Sequence, residues 1–199
     1  MIVAGSLVEY IEGGRFLCAL VAGVADRKVR LLNQNGREIN LPESRIIVAS
    51  RTVHPQDASR EELTAALQHR AGRRAALAEA IALDELWEIA SEETADEFAV
   101  DFLAELQVGA AVDDDQTAAF LRAVFADPLY FKFRNGRIVV HSAEQVEQLQ
   151  TQRRREAEKA ELLARAADNL RLLAKGQPVA DGAWPEQEQV LDWLEQSVL

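Results

Sequence analysis

Ser6-Leu7-Val8-Glu9-Tyr10-Ile11-Glu12-Gly13-Gly14-Arg15-Phe16-Leu17-Cys18-Ala19-Leu20-Val21-Ala22-Gly23-Val24 decides how the fold begins. Two strand-forming runs flank a Gly-Gly pair, which adopts the positive φ angles of a two-residue hairpin without steric cost. Further along, Lys28-Val29-Arg30-Leu31-Leu32 alternates in period two, and Asn35-Gly36 offers a second tight turn. Arg37-Glu38-Ile39-Asn40-Leu41 returns with Ile39 and Leu41 on one face, and Pro42 ends it. Arg45-Ile46-Ile47-Val48-Ala49 makes a fifth strand. Five short strands within residues 1–53 predict a small closed or nearly closed β-barrel of SH3-like size.

Beyond His54-Pro55 the periodicity turns helical. Ser59-Arg60-Glu61-Glu62 is a capping box, and Leu63, Leu67, Ala71, Ala78 and Ile81 form an apolar stripe from about Arg60 to Ile81. Gly72 costs roughly 1 kcal/mol against alanine and marks a break near Ala71. This connecting helix occupies residues 54–83. Asp84 then caps a short helix carrying Leu86, Trp87 and Ile89, and Thr94-Ala95-Asp96-Glu97 reads as a second capping box opening a helix over Phe98 to Leu106, which Gly109 stops. Asp113-Asp114-Asp115 sits at the positive end of a third helix, with Ala119, Phe120, Ala123 and Val124 on its apolar face up to Asp127-Pro128. Leu129-Tyr130-Phe131-Lys132-Phe133-Arg134 and Arg137-Ile138-Val139-Val140 flank Asn135-Gly136, a strong hairpin signal. Three short helices followed by a hairpin predict a winged-helix-like domain over residues 84–141. In residues 142–199, Ser142 caps a long helix with Val146, Leu149, Ala160, Leu163, Ala167 and Leu170 at helical spacing. Gly176 and Pro178 end it, Gly176 to Pro185 is a loop, and Glu186 to Gln196 is a last amphipathic helix. The fold class is therefore α+β.

The 199 residues carry a formal net charge of −11, which as a uniform field would repel nucleic acid. The charge is not uniform. Residues 84–128 hold thirteen acids and a single base, Arg122, whereas 129–141 hold three bases and no acid. An anionic ligand is directed to the first strands or to the stretch around 129–155, and the acidic block suits a basic partner or domain. No apolar run approaches the roughly 20 residues of a membrane span, and the start lacks a basic, cleavable leader, so a cytoplasmic protein with no membrane partner is expected. A single cysteine, Cys18, forms no internal disulfide and reads as a buried thiol.

Catalytic chemistry is not spelled by any spacing: there is no Gly-x-Ser-x-Gly, phosphate loop or His-Glu-x-x-His. His54, His69 and His141 fall in three elements and read as surface or boundary residues, and helix-dipole compensation accounts for Asp113 to Asp115. No catalytic or metal-binding residue and no cofactor are expected in the chain. Nucleic-acid binding is better supported than catalysis, with RNA contact at the hairpin as the candidate. In the hairpin, Lys132, Arg134 and Arg137 supply cations and Tyr130 an aromatic face, Phe131 and Phe133 alternating to the opposite, core side. Arg27, Lys28 and Arg30, and Arg153, Arg154 and Arg155, are further candidates for phosphate contact. A third helix led by three acids is a poor reader of a DNA groove.

Gly5-Ser6-Leu7-Val8-Glu9-Tyr10, Leu86-Trp87, Asp127-Pro128-Leu129-Tyr130-Phe131-Lys132, Ala143-Glu144-Gln145-Val146-Glu147 and Gln152-Arg153-Arg154-Arg155-Glu156, in that order, resemble the N-terminal region of bacterial ribonuclease II/R-type (RNB-domain) exoribonucleases. The resemblance spans essentially the whole chain. It implies a parent hydrolase that uses Mg²⁺ to degrade single-stranded RNA from its 3′ end to nucleoside monophosphates. The aspartate cluster of that catalytic domain has no counterpart here. The chain is then expected to be an N-terminal fragment that guides RNA and docks on the catalytic domain of the same polypeptide, without activity of its own. Better-known members open with cold-shock domains bearing aromatic ribbons, whereas this barrel holds only Tyr10 and Phe16. The alternative expectation is a self-contained SH3-like/winged-helix module for protein interaction or regulation, with a DNA-binding regulator behind it.

Overall fold

The computed structural model describes residues 2–55, 57–177, 184 and 187–198, except for the side chains of 173, 191, 194, 197 and 198. It is an α+β protein in two compact units, Met1–Ala143 and Glu144–Leu199. The first unit opens with five strands: β1 (Ser6–Glu12), β2 (Arg15–Ala25), β3 (Lys28–Asn33), β4 (Glu38–Pro42) and β5 (Val48–Val53). They form an antiparallel sheet in the order β4-β3-β2-β1-β5. Gly13 and Gly14, at φ 57° and 75°, make the β1–β2 hairpin as their lack of Cβ allows.

Alternation along these strands separates two apolar layers. Val8, Tyr10, Leu17, Ala19, Val21, Val29 and Leu31 form one cluster, on which Ile39 and Leu41 of β4 and Ala49 of β5 also pack. Both edge strands thus share one core, yet among the described residues no β4–β5 ladder closes the sheet into the barrel expected from sequence. The physical reason lies after Pro42, where Glu43–Arg45 form a 3-10 turn and the fifth strand begins at Val48 instead of Arg45. On the other face, Leu7, Cys18 and Leu20 meet Leu63, Leu67 and Ala71 of α1 (Arg60–Glu79). Cys18 is fully buried, and burial pushes its thiol up to about 11. Gly5 closes the β1–β5 edge at φ 86°, where a Cβ would stand 2.7 Å from the His54 carbonyl oxygen.

The Ser59–Glu62 capping box forms as its residues dictate. The break expected near Ala71 does not occur, because Ala71 and Arg74, buried on either side of Gly72, tie that part of α1 to the rest of the unit. Packing against α4 outweighs the roughly 1 kcal/mol cost of the glycine.

Next come α2 (Leu83–Ser91), β6 (Glu97–Ala99), α3 (Val100–Val108), α4 (Asp114–Ala126), β7 (Phe131–Arg134) and β8 (Arg137–Val140). Two local expectations change here. Ala82 rather than Asp84 precedes the first turn of α2, leaving Asp84 inside that turn. Thr94 to Glu97 is not a helix cap: Glu97, Phe98 and Ala99 pair with Val139, Ile138 and Arg137, making a three-stranded sheet in the order β6-β8-β7. A strand this short has no periodicity to announce it, and its partner lies about forty residues away in sequence. Gly109 ends α3 in the left-handed conformation, and Asn135 and Gly136, at φ 51° and 77°, turn the hairpin. Leu86, Leu103, Phe120, Leu121, Phe131 and Ile138 form the core beneath the small sheet, on which Val48 of β5 and Ile47 just before it also pack.

The second unit holds nearly all of α5 (Ala143–Ala174) and α6 (Gln187–Val198). Its core is Ala166, Trp184 and Val190 with Leu162 and Leu170. Val146 and Leu170 are turned inward as expected, but Leu162 and Ala166 take the core places expected of Leu163 and Ala167, leaving Ala160 exposed and Leu163 45% exposed. Most of the expected loop, 178–183 and 185, and the expected helix start at Glu186 lie outside the described residues. Among those described, no helix is long and apolar enough to cross a membrane.

Candidate nucleic-acid interface

In a three-helix domain that reads DNA, α4 would be the helix offered to the groove. Here Thr117 to Leu121, Ala123 and Val124 are buried. The three leading acids are also engaged. Asp113 caps the helix through Gln116 N and pairs with Arg73 at 3.0 Å. Asp114 accepts from the backbone N–H groups of Arg51 and Thr52, each at 3.1 Å. Asp115, 2% exposed, accepts from Arg74 Nε at 2.8 Å and from Arg73 and Arg70 at 3.1 and 3.3 Å. Burial alone would raise the Asp115 pKa, but the Arg74 hydrogen bond and the charges of Arg74, Arg70 and Arg73 hold it below the usual carboxylate range.

The network continues into the first sheet. Glu9, fully buried on β1, takes Arg74 Nη1 at 3.0 Å and Arg122 Nη2 at 2.6 Å, and Arg122 donates further to the Ala71 carbonyl at 2.9 Å. Dipole compensation was too small a role for the aspartates: with Arg122 they bolt α4 to α1, β1 and β5. Sequence reasoning passed over Glu9, Arg70, Arg73, Arg74 and Arg122, although two signals were present. Arg74 occupies the gap in the α1 stripe between Ala71 and Ala78, and Arg122 is the single base in an acidic block.

The hairpin behaves differently. Phe131 is buried and Phe133 half-buried beneath it, while Lys132 and Arg134 stand exposed on its outer side, as alternation demands. Neither cation forms an ion pair among the described residues. Arg137 is partly engaged: its Nη2 donates to the Glu97 carbonyl at 3.1 Å, with the Glu97 carboxylate 3.8 Å from Nε. Tyr130 is half-buried with its ring against Trp87, centroids 5.5 Å apart, so its stacking face is shared. Trp87 Nε1 donates to the His141 carbonyl at 2.7 Å, which fixes that pair at the base of the hairpin. His54 is half-buried and His69 exposed.

Arg27, Lys28 and Arg30 are exposed on and beside the β2–β3 turn. Arg153, Arg154 and Arg155 are exposed along α5, in the second unit. The candidate cations thus fall on three elements, two of them hairpins of the first unit and the third a helix of the second. Comparison with protein-family models, with curated proteins and with solved structures returned no match.

Proposed function

We propose that the chain is an accessory module that guides single-stranded RNA, of the kind that precedes the catalytic domain in ribonuclease II/R-type exoribonucleases. One observation carries this reading. The helix that would read a duplex groove is buried with its leading acids taken, whereas Lys132 and Arg134 on the neighbouring hairpin are exposed and without acidic partners among the described residues. The element order α2-β6-α3-α4-β7-β8 with sheet order β6-β8-β7 supports a winged-helix-like domain, the β7–β8 hairpin being its wing. The meander β4-β3-β2-β1-β5 around one apolar cluster supports an open relative of the SH3-like barrel. Such a module supplies phosphate contacts and direction. Mg²⁺-dependent hydrolysis belongs to an RNB domain outside these residues.

Phosphate contact by exposed cations is insensitive to sequence and steep in salt. Fluorescence anisotropy with a labelled single-stranded oligoribonucleotide at low salt should show binding. K132A/R134A should weaken it about tenfold and reduce the log–log salt slope by about 1.4, at about 0.7 per phosphate contact. R137A should do less, since Glu97 already engages that guanidinium. Unchanged affinity in K132A/R134A removes the guiding role from the wing.

A second reading, docking on a basic protein surface, is favoured by the α3 surface. Phe102 and Leu106, one turn apart, are 48% and 37% exposed in a block whose single base is Arg122. A complex with a cationic protein that persists after RNase treatment and is lost in F102E would favour it.

A further inference from the structure

Seven strand and turn residues away from the wing build a second place for an anion. Lys28 and Arg30 of β3 point to solvent while Val29 and Leu31 between and after them are buried. Each cation has small neighbours across the sheet: Arg30 lies between Gly23 and Asn40, and Lys28 between Ala25 and Pro42. The strand register slips between Val21 and Gly23, and Arg30 reaches over Gly23, its Nη2 3.8 Å from where a Cβ would stand, an ordinary van der Waals distance. The result is a trough of about 410 Å³ lined by Gly23, Val24, Ala25, Asp26, Lys28, Arg30 and Asn40.

Charge in the trough is uncompensated. Most arginines of α1 and α4 are spent on carboxylates, but Arg27, Lys28 and Arg30 make no ion pair among the described residues, in a chain with 33 acids and 22 bases. Lys28 and Arg30 share one face about 7 Å apart along the strand and repel each other unless an anion lies between or across them. Asp26 is the one carboxylate on the rim, at the turn. That turn is itself costly. Asp26 and Arg27 hold φ angles of 49° and 60°, where a two-residue hairpin favours Asn-Gly or Asp-Gly, so Asp26 suits its position and Arg27 is the strained residue. Arg27 is thus displayed beside the trough at a position that glycine would fill more stably.

We propose that this trough binds phosphate oxyanions through Lys28 and Arg30, with Arg27 as an outer contact. On the RNA-guiding reading, on which this rests, it holds the backbone of the strand as a second station beside the wing. No hydrogen-bonding base edge is read and no 2′-hydroxyl is needed, so RNA and single-stranded DNA are held alike. The same chemistry would accept a free polyphosphate.

The test uses the full chain with three probes: a labelled oligoribonucleotide, the matching oligodeoxyribonucleotide, and inorganic tripolyphosphate. K28A/R30A should weaken both oligonucleotides by the same factor, about tenfold at low salt, with a salt slope smaller by about 1.4. Tripolyphosphate should shift the NMR signals of Lys28 and Arg30 and compete with the oligonucleotides. Arg27→Gly should raise Tm by roughly 2–4 °C while weakening binding. Unaltered oligonucleotide affinity in K28A/R30A, with K132A/R134A still impaired, overturns the trough as an RNA station and leaves the wing reading standing. Tripolyphosphate shifts at Lys28 and Arg30 without any oligonucleotide affinity support the anion site and overturn RNA guiding instead. An absence of both overturns the site itself.

Discussion

Replacing Asp115 by alanine lowers the unfolding free energy of residues 1–143 by about 3–5 kcal/mol, to be measured as a fall in the urea midpoint. The magnitude follows from what remains behind. Arg74 is 2% exposed in its side chain and loses its 2.8 Å carboxylate, leaving Glu9 to answer both Arg74 and Arg122. A buried guanidinium short of partners costs more than the intact pair contributes, because desolvation offsets most of the attraction in the pair. For the same reason E9L/R74M/D115L/R122M, which removes every buried charge of the network, should recover most of the loss. Recovery that fails, in a variant that still folds, would mean that the charges do more than fill space. The pH dependence has a fixed sign. Asp115 has a folded pKa below its unfolded value near 4, so its contribution is complete above pH 4 and is lost as pH falls through the lowered folded value. Asp114, whose burial is outweighed by the Arg51 and Thr52 backbone N–H groups, adds with the same sign. Urea midpoints should therefore decline below about pH 4 in the wild type and decline less in Asp115→Asn.

Phe131→Ala produces a loss of similar size, about 3–5 kcal/mol, by a different route. Phe131 is fully buried at the start of β7, and its ring meets Phe120 of α4 edge-on at 6.4 Å. Truncation opens a cavity under the small sheet where neither strand nor helix can collapse to fill it. Amide exchange across the Phe131–Val140 and Phe133–Ile138 pairs should accelerate along with the drop in urea midpoint. A lower midpoint with protected hairpin amides would place the damage elsewhere. Because Lys132 and Arg134 stay on the chain, oligonucleotide affinity in this variant reports whether the wing needs a rigid base.

How much of this was visible beforehand depends on the kind of signal. Alternation and paired turn residues exposed most strands, because the β1–β2 and β7–β8 pairings join neighbours in sequence through Gly13-Gly14 and Asn135-Gly136. β6 stayed hidden, since Glu97 to Ala99 gains its structure from a partner about forty residues later and its leading Thr94-x-x-Glu97 imitates a helix start. The cationic candidates could be found by type and alternation, but their availability could not. Arg134 and Arg137 face each other across the hairpin, and only the sheet brings Glu97 to one of them. The buried network was hardest to see: a glutamate within a strand reads as solvent-facing until both faces of the sheet prove to be covered, as at Glu9.

Cys18 gives this architecture its own clock. It is opposite Glu9 across the β1–β2 pair, it lies under α1, and burial keeps its sulfur protonated at neutral pH. A thiol reagent reaches it only when α1 lifts from the sheet, and each lifting also parts Arg74 from Glu9. With reagent in excess, so that labelling outpaces reclosing, the labelling rate of this native sulfur counts the openings of the bolt between helix and sheet, with no cysteine introduced by mutation.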